Sequence, residues 1–307
     1  SKFSSQHTTQ KDIRHKGELN SPDGAPKGKT RNIDTFGRKL SVPAVKRMRF
    51  IGLSIVLIAA SIALLFWLYA PAHSYYTVFE ARTVAQEISI HTHEGKNLLT
   101  VPRGMNNQIT LTDGTRIWLN AESQLEYPEN FEGQEKRVVH LKGEAYFEVA
   151  KDTAHPFIVK TDKGDIRVLG TEFNVNNYPK SREAVTTLVN GKIAYCLPDG
   201  KQLILTPNQQ ITINANGQTE IKTVDTRYAT SWKNGMFLFQ EMRLEDIMNQ
   251  LERWYDIHVF YTHERAKNLH FSGDLSRFKN IGTFIEMFEK SSDLKIEVQG
   301  KNLIIGM

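Results

Sequence analysis

The sequence predicts a mainly β protein with an appended α/β module, tethered by a single transmembrane helix. Three observations carry this. Residues 50–69 read FIGLSIVLIAASIALLFWLY, twenty residues without a charge. Between about residues 99 and 224, turn dipeptides recur inside alternating apolar and polar segments, with no helical period between them. Beyond residue 236, two helical periods are interleaved with short apolar strands.

The first 49 residues hold twelve Lys and Arg against four Asp and Glu, so the remaining chain has 27 basic and 30 acidic residues. The excess positive charge therefore belongs to one tail. That tail has few large apolar side chains and is expected to be mostly disordered, because it cannot bury enough surface to offset its ordering entropy. Its charge suits anionic lipid headgroups, and the lack of interleaved aromatics argues against direct nucleic-acid binding.

A helix over residues 50–69 would be roughly 30 Å long, the thickness of a bilayer's hydrocarbon core. Lys39, Lys46, Arg47 and Arg49 precede it, and no positive charge follows until Arg82. The positive-inside rule then leaves the N-terminus in the cytoplasm and exports everything after Ala70. Ala70-Pro71-Ala72 faintly imitates a cleavage site, but so long a leader and so long an apolar core read as a retained anchor. Residues 70–98 read as a tether with some helical or extended character.

The β region, 99–224, is marked by Asp113-Gly114, Asn190-Gly191, Asp199-Gly200 and the turns in KTDKGDIRVLG (160–170) and ITINANGQTEI (211–221). Such dipeptides favour tight hairpins. With Asp113-Gly114 as a two-residue loop, Ile109 would face Trp118 and Thr110 would face Ile117, putting apolar side chains on both faces. Cover on both faces means a sandwich, a barrel or a rolled-up solenoid.

VVHLKGEAYFEVA (138–150) alternates, with Val139, Leu141, Gly143, Ala145, Phe147 and Val149 on one side and His140, Lys142, Glu144, Tyr146 and Glu148 on the other. On a strand, Glu144 and Glu148 are roughly 13 Å apart, too far for paired glycosidase carboxylates. Gly143 in the apolar row suggests a bulge or a close backbone approach. No His-Glu-x-x-His, Gly-x-Ser-x-Gly or Walker loop occurs. His91 and His93 read as solvent-facing rather than as metal ligands, and Cys196, the single cysteine, as packing. No cofactor or metal is expected.

The last segment, 225–307, reads as a small βαββαββ module. MFLF (236–239) is a strand, and LEDIMNQLERWYD (244–256) an amphipathic helix with Leu244, Ile247, Met248, Leu251 and Trp254 on one stripe. IHVFYT (257–262) and NLHFSGDL (268–275) are strands, Asn280 caps a second helix, and LKIEV and NLIIG close the chain around Gly300-Lys301.

From about residue 100 onward the chain resembles the FecR family of transmembrane anti-sigma regulators, in its Bacteroidetes-type form. The segments that carry this are LTDGTRIWLNAESQLEYP, RVVHLKGEAYFEVAKD, PFIVKT, IRVLGTEFNV, TLVNGKI, LTPNQQ and SWKNGMFLFQEMRLEDIMNQLERWYDIHV. Its motif positions here are Asp113, Gly114, Trp118, Asn120, Gly143, Glu144, Phe147, Gly170, Thr171, Phe173 and Gly191, read as structural. The resemblance implies a twisted, solenoid-like periplasmic β domain and a C-terminal domain like the short N-terminal domains of secretins and TonB-dependent receptors. It implies a single inner-membrane span and a signal received from the N-terminal domain of an outer-membrane TonB-dependent receptor. An extracytoplasmic-function sigma factor and intramembrane and periplasmic proteases complete the implied partners. Leu244, Ile247, Leu251 and Trp254 fall where relatives contact the receptor, although a core-facing stripe would look the same. Residues 1–49 contain no tryptophan and no amphipathic helix, so no residue is assigned to sigma-factor binding. A membrane-anchored periplasmic glycan-active enzyme and an envelope scaffold are the rival readings.

Overall fold

In the computed structural model, which describes residues 87–276 and 279–307, strands dominate and helices are few. The first fourteen strands are β1 (Ser89–His93), β2 (Lys96–Val101), β3 (Asn107–Thr110), β4 (Arg116–Leu119), β5 (Ser123–Pro128), β6 (Arg137–Glu148), β7 (Phe157–Thr161), β8 (Gly164–Val168), β9 (Glu172–Asn177), β10 (Glu183–Asn190), β11 (Ile193–Cys196), β12 (Gln202–Leu205), β13 (Gln209–Asn214) and β14 (Thr219–Thr223). They form two layers joined through β6. One layer runs β1-β2-β5-β6-β7-β8-β11-β12 and the other β3-β4-β6-β9-β10-β13-β14. Residues 137–142 of β6 pair with β5 and β7, and residues 143–148 with β4 and β9. From β7 onward the chain visits the layers two strands at a time, rolling around one core.

That core takes side chains from both layers: Leu99, Leu125, Val139, Phe157 and Ile166 from one, Ile117, Phe147, Phe173, Leu188 and Ile211 from the other. Phe147 and Phe173 stack at 5.0 Å between ring centroids. The alternation read in residues 138–149 places these residues inward, as expected.

At Gly143 the strand changes layer. Its φ is +99°, and a Cβ there would come within 2.8 Å of Ser123 Cα. The close approach expected of this glycine is what lets β6 bend between the two sheets.

Three expectations need correction. First, the Asp113-Gly114 hairpin exists, but Ile109 pairs with Ile117 and Thr110 with Arg116. Leu111 and Thr115 close a three-residue loop instead, with Leu111 N donating to Thr115 O (2.9 Å) and Gly114 N to Leu111 O (3.0 Å). The loops at 197–201 and 214–218 repeat both bonds. In each, the glycine has a positive φ: +85° at Gly114, +87° at Gly200, +77° at Gly217. A single left-handed glycine after a turn gives this longer loop, whereas a two-residue loop needs positive φ at two positions. The register therefore slips by one.

Second, Asn190-Gly191 is no hairpin. β10 pairs with β9 and β13, β11 with β8 and β12, so the dipeptide carries the chain from one layer to the other. Third, the segment read as a tether contains β1 and the first half of β2, and β2 pairs with β5. Its threonines, histidines and lysine hid the strand alternation. The expected transmembrane helix at 50–69 and the basic tail lie outside the described residues, among which no helix is long and apolar enough to cross a membrane.

A helical connector, α1 (Arg227–Thr230) and a 3-10 turn (Ser231–Asn234), leads into the C-terminal module. There β15 (Met236–Arg243), α2 (Leu244–Tyr255), β16 (His258–Tyr261), β17 (His270–Ser276), α3 (Ile281–Ser291), β18 (Lys295–Gln299) and β19 (Asn302–Gly306) follow in the expected order. The strands form two sheets rather than one: β15-β17 and β16-β19-β18. Asn280 caps α3, its side chain accepting from Thr283 N at 3.2 Å. Gln299 pairs with Asn302 across the two-residue turn. The module has its own core, built from Phe237, Ile247, Leu251, Phe284, Phe288 and Leu303.

Candidate partner-binding surfaces

α2 shows which of the proposed contact residues can meet a partner. Leu244, Ile247 and Leu251 are at most 3% exposed. They face the module's core, because the apolar stripe has sheet and α3 to cover it. The docking role expected of these three residues is therefore corrected to packing. Trp254 is half-buried at the edge of the same core.

An apolar side chain is exposed elsewhere on the module. Phe260 on β16 is 54% exposed and lies opposite Ile304 of β19. Both flanking strands of this three-stranded sheet are edges. Each has one backbone amide capped by a helix carboxylate: Val259 N donates to Glu252 Oε1 at 2.7 Å, and Ile296 N to Glu289 Oε1 at 2.9 Å. Such caps reduce indiscriminate strand pairing while leaving the remaining edge groups available.

Motif residues of the β body gather in three groups. Asp113 accepts from Thr115 N (3.0 Å) and Thr115 Oγ1 (2.7 Å) and pairs with buried Arg137 at 2.7 Å. Arg137 also donates to the carbonyls of His155 (2.8 Å) and Ala150 (3.0 Å), pinning the Gly114 loop to the ends of β6 and β7. Gly170, Thr171 and Gly191 meet where the layers cross: a Cβ on Gly191 would lie 2.8 Å from Thr171 Oγ1, which itself donates to Lys192 O at 3.1 Å.

The third group is a buried polar chain. Asn120 Nδ2 donates to Glu144 Oε2 (2.7 Å), Asn174 Nδ2 to Glu144 Oε1 (3.0 Å), and Trp232 Nε1 to Asn174 Oδ1 (3.0 Å). Glu144 falls on the polar row of β6 but is 7% exposed. The amides satisfy its carboxylate and the connector covers it. Residues 174 and 232 escaped sequence reasoning. The only hint was Trp232 in SWKNG, inside a segment that otherwise reads as a turn.

Beside this chain, Trp118 packs edge-on to Tyr146 at 5.8 Å, and Lys233 Nζ lies 4.2 Å from the Tyr146 ring centre. Burial, first of all, and the neighbouring Glu172 carboxylate push the Tyr146 hydroxyl's pKa well above the usual phenol range. Tyr146 donates to Glu172 at 3.2 Å. Glu172 stands directly opposite Glu148 across β6 and β9, in a cleft of about 310 Å³. Glu148 is engaged by Arg116 and by Lys233.

The β body and the module touch directly. Arg182 pairs with Glu245 at 3.3 Å, Gly104 N donates to Arg253 O at 2.8 Å, and the Arg253 guanidinium lies 3.9 Å over the Tyr178 ring. His91 and His93 are exposed, and among the described residues no cluster of side chains could hold a metal ion.

Two family models match the chain in order, "FecR protein" over residues 97–194 and "FecR, C-terminal" over residues 236–305. The chain belongs to the FecR family. Two crystal structures of a protein from Parabacteroides distasonis ATCC 8503, described there as an anti-sigma factor, share the fold. They are 28% identical to this chain, with TM-scores of 0.65 and 0.64. They cover 69% and 68% of it and 98% and 97% of themselves. No curated protein matches.

Proposed function

We propose that this protein is an anti-sigma regulator that acts by protein–protein contact rather than by catalysis. The collinear presence of both FecR segments on one fold, shared with structures described as an anti-sigma factor, carries this reading. On this reading the protein spans the inner membrane once through residues 50–69. It keeps the basic tail in the cytoplasm and exposes the β body and C-terminal module to the periplasm. The N-terminal domain of an outer-membrane TonB-dependent receptor docks on the module. The signal alters the fate of an extracytoplasmic-function sigma factor, through regulated cleavage by periplasmic and intramembrane proteases. A docked partner is felt across one helix only if it shifts a population or exposes a cleavage site.

With Leu244, Ile247 and Leu251 buried, the docking face is the outer surface and edges of the β16-β19-β18 sheet, around Phe260 and Ile304. An added strand would gain main-chain hydrogen bonds there and an apolar anchor in Phe260.

The decisive experiment deletes the protein from its host and follows transcription dependent on its cognate sigma factor. Altered transcription supports the regulator; an unchanged profile points to an envelope scaffold. The opposed carboxylates of Glu148 and Glu172 give the glycan-active reading its one foothold. Turnover of a glycan by the purified chain, lost in E148Q, would establish that reading instead.

A further inference from the structure

We infer that the cleft between the β body and the C-terminal module is a binding site for a small organic dianion. The cleft has a volume of about 620 Å³, inside the roughly 300–1,000 Å³ typical of small-molecule sites, which favour domain interfaces. Its walls come from both parts of the protein: Lys142 on β6, Lys180 after β9, and Arg253 and His258 from the module.

The charge balance selects the ligand. The wall carboxylates are already engaged, Glu122 by Arg103 at 3.3 Å and Glu252 by the Val259 amide at 2.7 Å. Among the described residues no carboxylate forms a salt bridge with Lys142, Lys180 or Arg253, and the nearest charge effect on Lys142 comes from Glu126, which is itself bonded to Lys96 at 2.8 Å. Four cations, Arg103, Lys142, Lys180 and Arg253, thus face one concave space against two carboxylates, Glu122 and Glu252, which leaves the cleft net positive. A cleft lined by one excess sign of charge attracts counter-ions. The Arg253 guanidinium carbon lies 3.9 Å over the Tyr178 ring centre, and Tyr178 is itself anchored through its hydroxyl to Ala121 O at 2.7 Å. A cation–π contact of this kind does not consume the guanidinium's N–H donors, which can still bond a carboxylate or phosphate. Two anionic groups would engage Arg253 and the lysines together. A bound dianion therefore bridges the two parts and stiffens their junction.

Calorimetric titration of the full chain in detergent with succinate, glutarate and inorganic phosphate tests this. Saturable binding of at least one is expected, weakening as salt rises, and the preferred probe tells a carboxylate ligand from a phosphate. Replacing both exposed lysines (K142Q with K180Q) should weaken binding by about tenfold or more without moving the unliganded Tm. R253K, which keeps the charge but loses the fork, should weaken it several-fold. Absence of saturable binding to all three probes overturns the inference. So does binding indifferent to the lysine substitutions, or binding of a triglutamate peptide but of no small anion. None of these outcomes bears on the anti-sigma reading, which rests on other residues.

Discussion

Trp232 donates its indole N–H to Asn174 Oδ1 at 3.0 Å, a bond between residues 58 positions apart. It closes a buried relay through Glu144 to Asn120 and so ties the connector, and with it the C-terminal module, to the centre of the β body. Each step of the relay is hydrogen-bonded, which is the condition under which buried polar groups specify one arrangement rather than destabilise it.

Cutting the relay at its outer end should be measurable. W232F keeps the ring's bulk but leaves Asn174 Oδ1 without its donor, and E144Q sets an amide against two donating amides. Each is expected to lower stability by about 1–3 kcal/mol, read by thermal unfolding. W232F should also speed proteolysis in the connector. A Tm unchanged in both variants would mean the relay contributes nothing.

Gly143→Ala should be among the most damaging small substitutions. The backbone sits at φ +99°, and the new methyl would meet Ser123 Cα at 2.8 Å. Strain and clash together should remove about 2–4 kcal/mol. Gly95→Ala is the control: its φ is also positive, at +73°, but nothing lies within 4 Å of the new Cβ. Its smaller loss in urea unfolding isolates the steric part.

Arg137 and Asp113 form a buried pair, with the guanidinium 5.4 Å over the Phe157 ring. R137M leaves the partly buried Asp113 carboxylate with only its Thr115 donors and the His155 and Ala150 carbonyls without theirs, and is expected to lose about 1–3 kcal/mol. Replacing both partners with apolar residues should recover much of that loss. A double-mutant cycle measures the coupling, and additive losses would show that the pair is not coupled.

Asp152 gives the acid response a local origin. Its side-chain hydrogen bond to His155 at 2.8 Å, with the backbone amides of His155 and Ala154, lowers its pKa from 3.8 to about 2. A folded-state value below the unfolded one stabilises the fold above pH 3.8 and loses that contribution as pH falls towards about 2. D152N should flatten the pH dependence of unfolding in that window and leave neutral-pH behaviour almost unaltered. An identical acid profile in the variant would assign the response to other carboxylates.

Packing and docking on the C-terminal module separate cleanly. L251A empties core space and should lower stability by about 2–5 kcal/mol. F260E alters an exposed side chain and should leave the Tm near wild type while reducing capture of the receptor's N-terminal domain. The reverse pattern would return the docking role to α2.

Strand alternation in residues 138–149, the order of the βαββαββ module and the Asn280 cap were legible because each depends on neighbours within a few residues. The helical stripe of Leu244, Ile247 and Leu251 was equally legible as a stripe, but not as a core: an apolar face looks the same whether a partner or the protein's own sheet covers it. The Asp113-Gly114 hairpin shows a finer limit. The dipeptide marks a turn, yet whether one or two of its residues take positive φ decides the register, and both options suit the same letters.

Local chemistry therefore determined where strands, helices and turns form, because backbone preference and side-chain period act over a few residues. Tertiary structure alone decided that Asn190-Gly191 carries the chain between layers, that Glu144 is interior and bonded to two amides, and that Arg253 stacks on Tyr178. Those outcomes depend on contacts between segments tens of residues apart, where burial and charge are set by whatever the fold brings alongside.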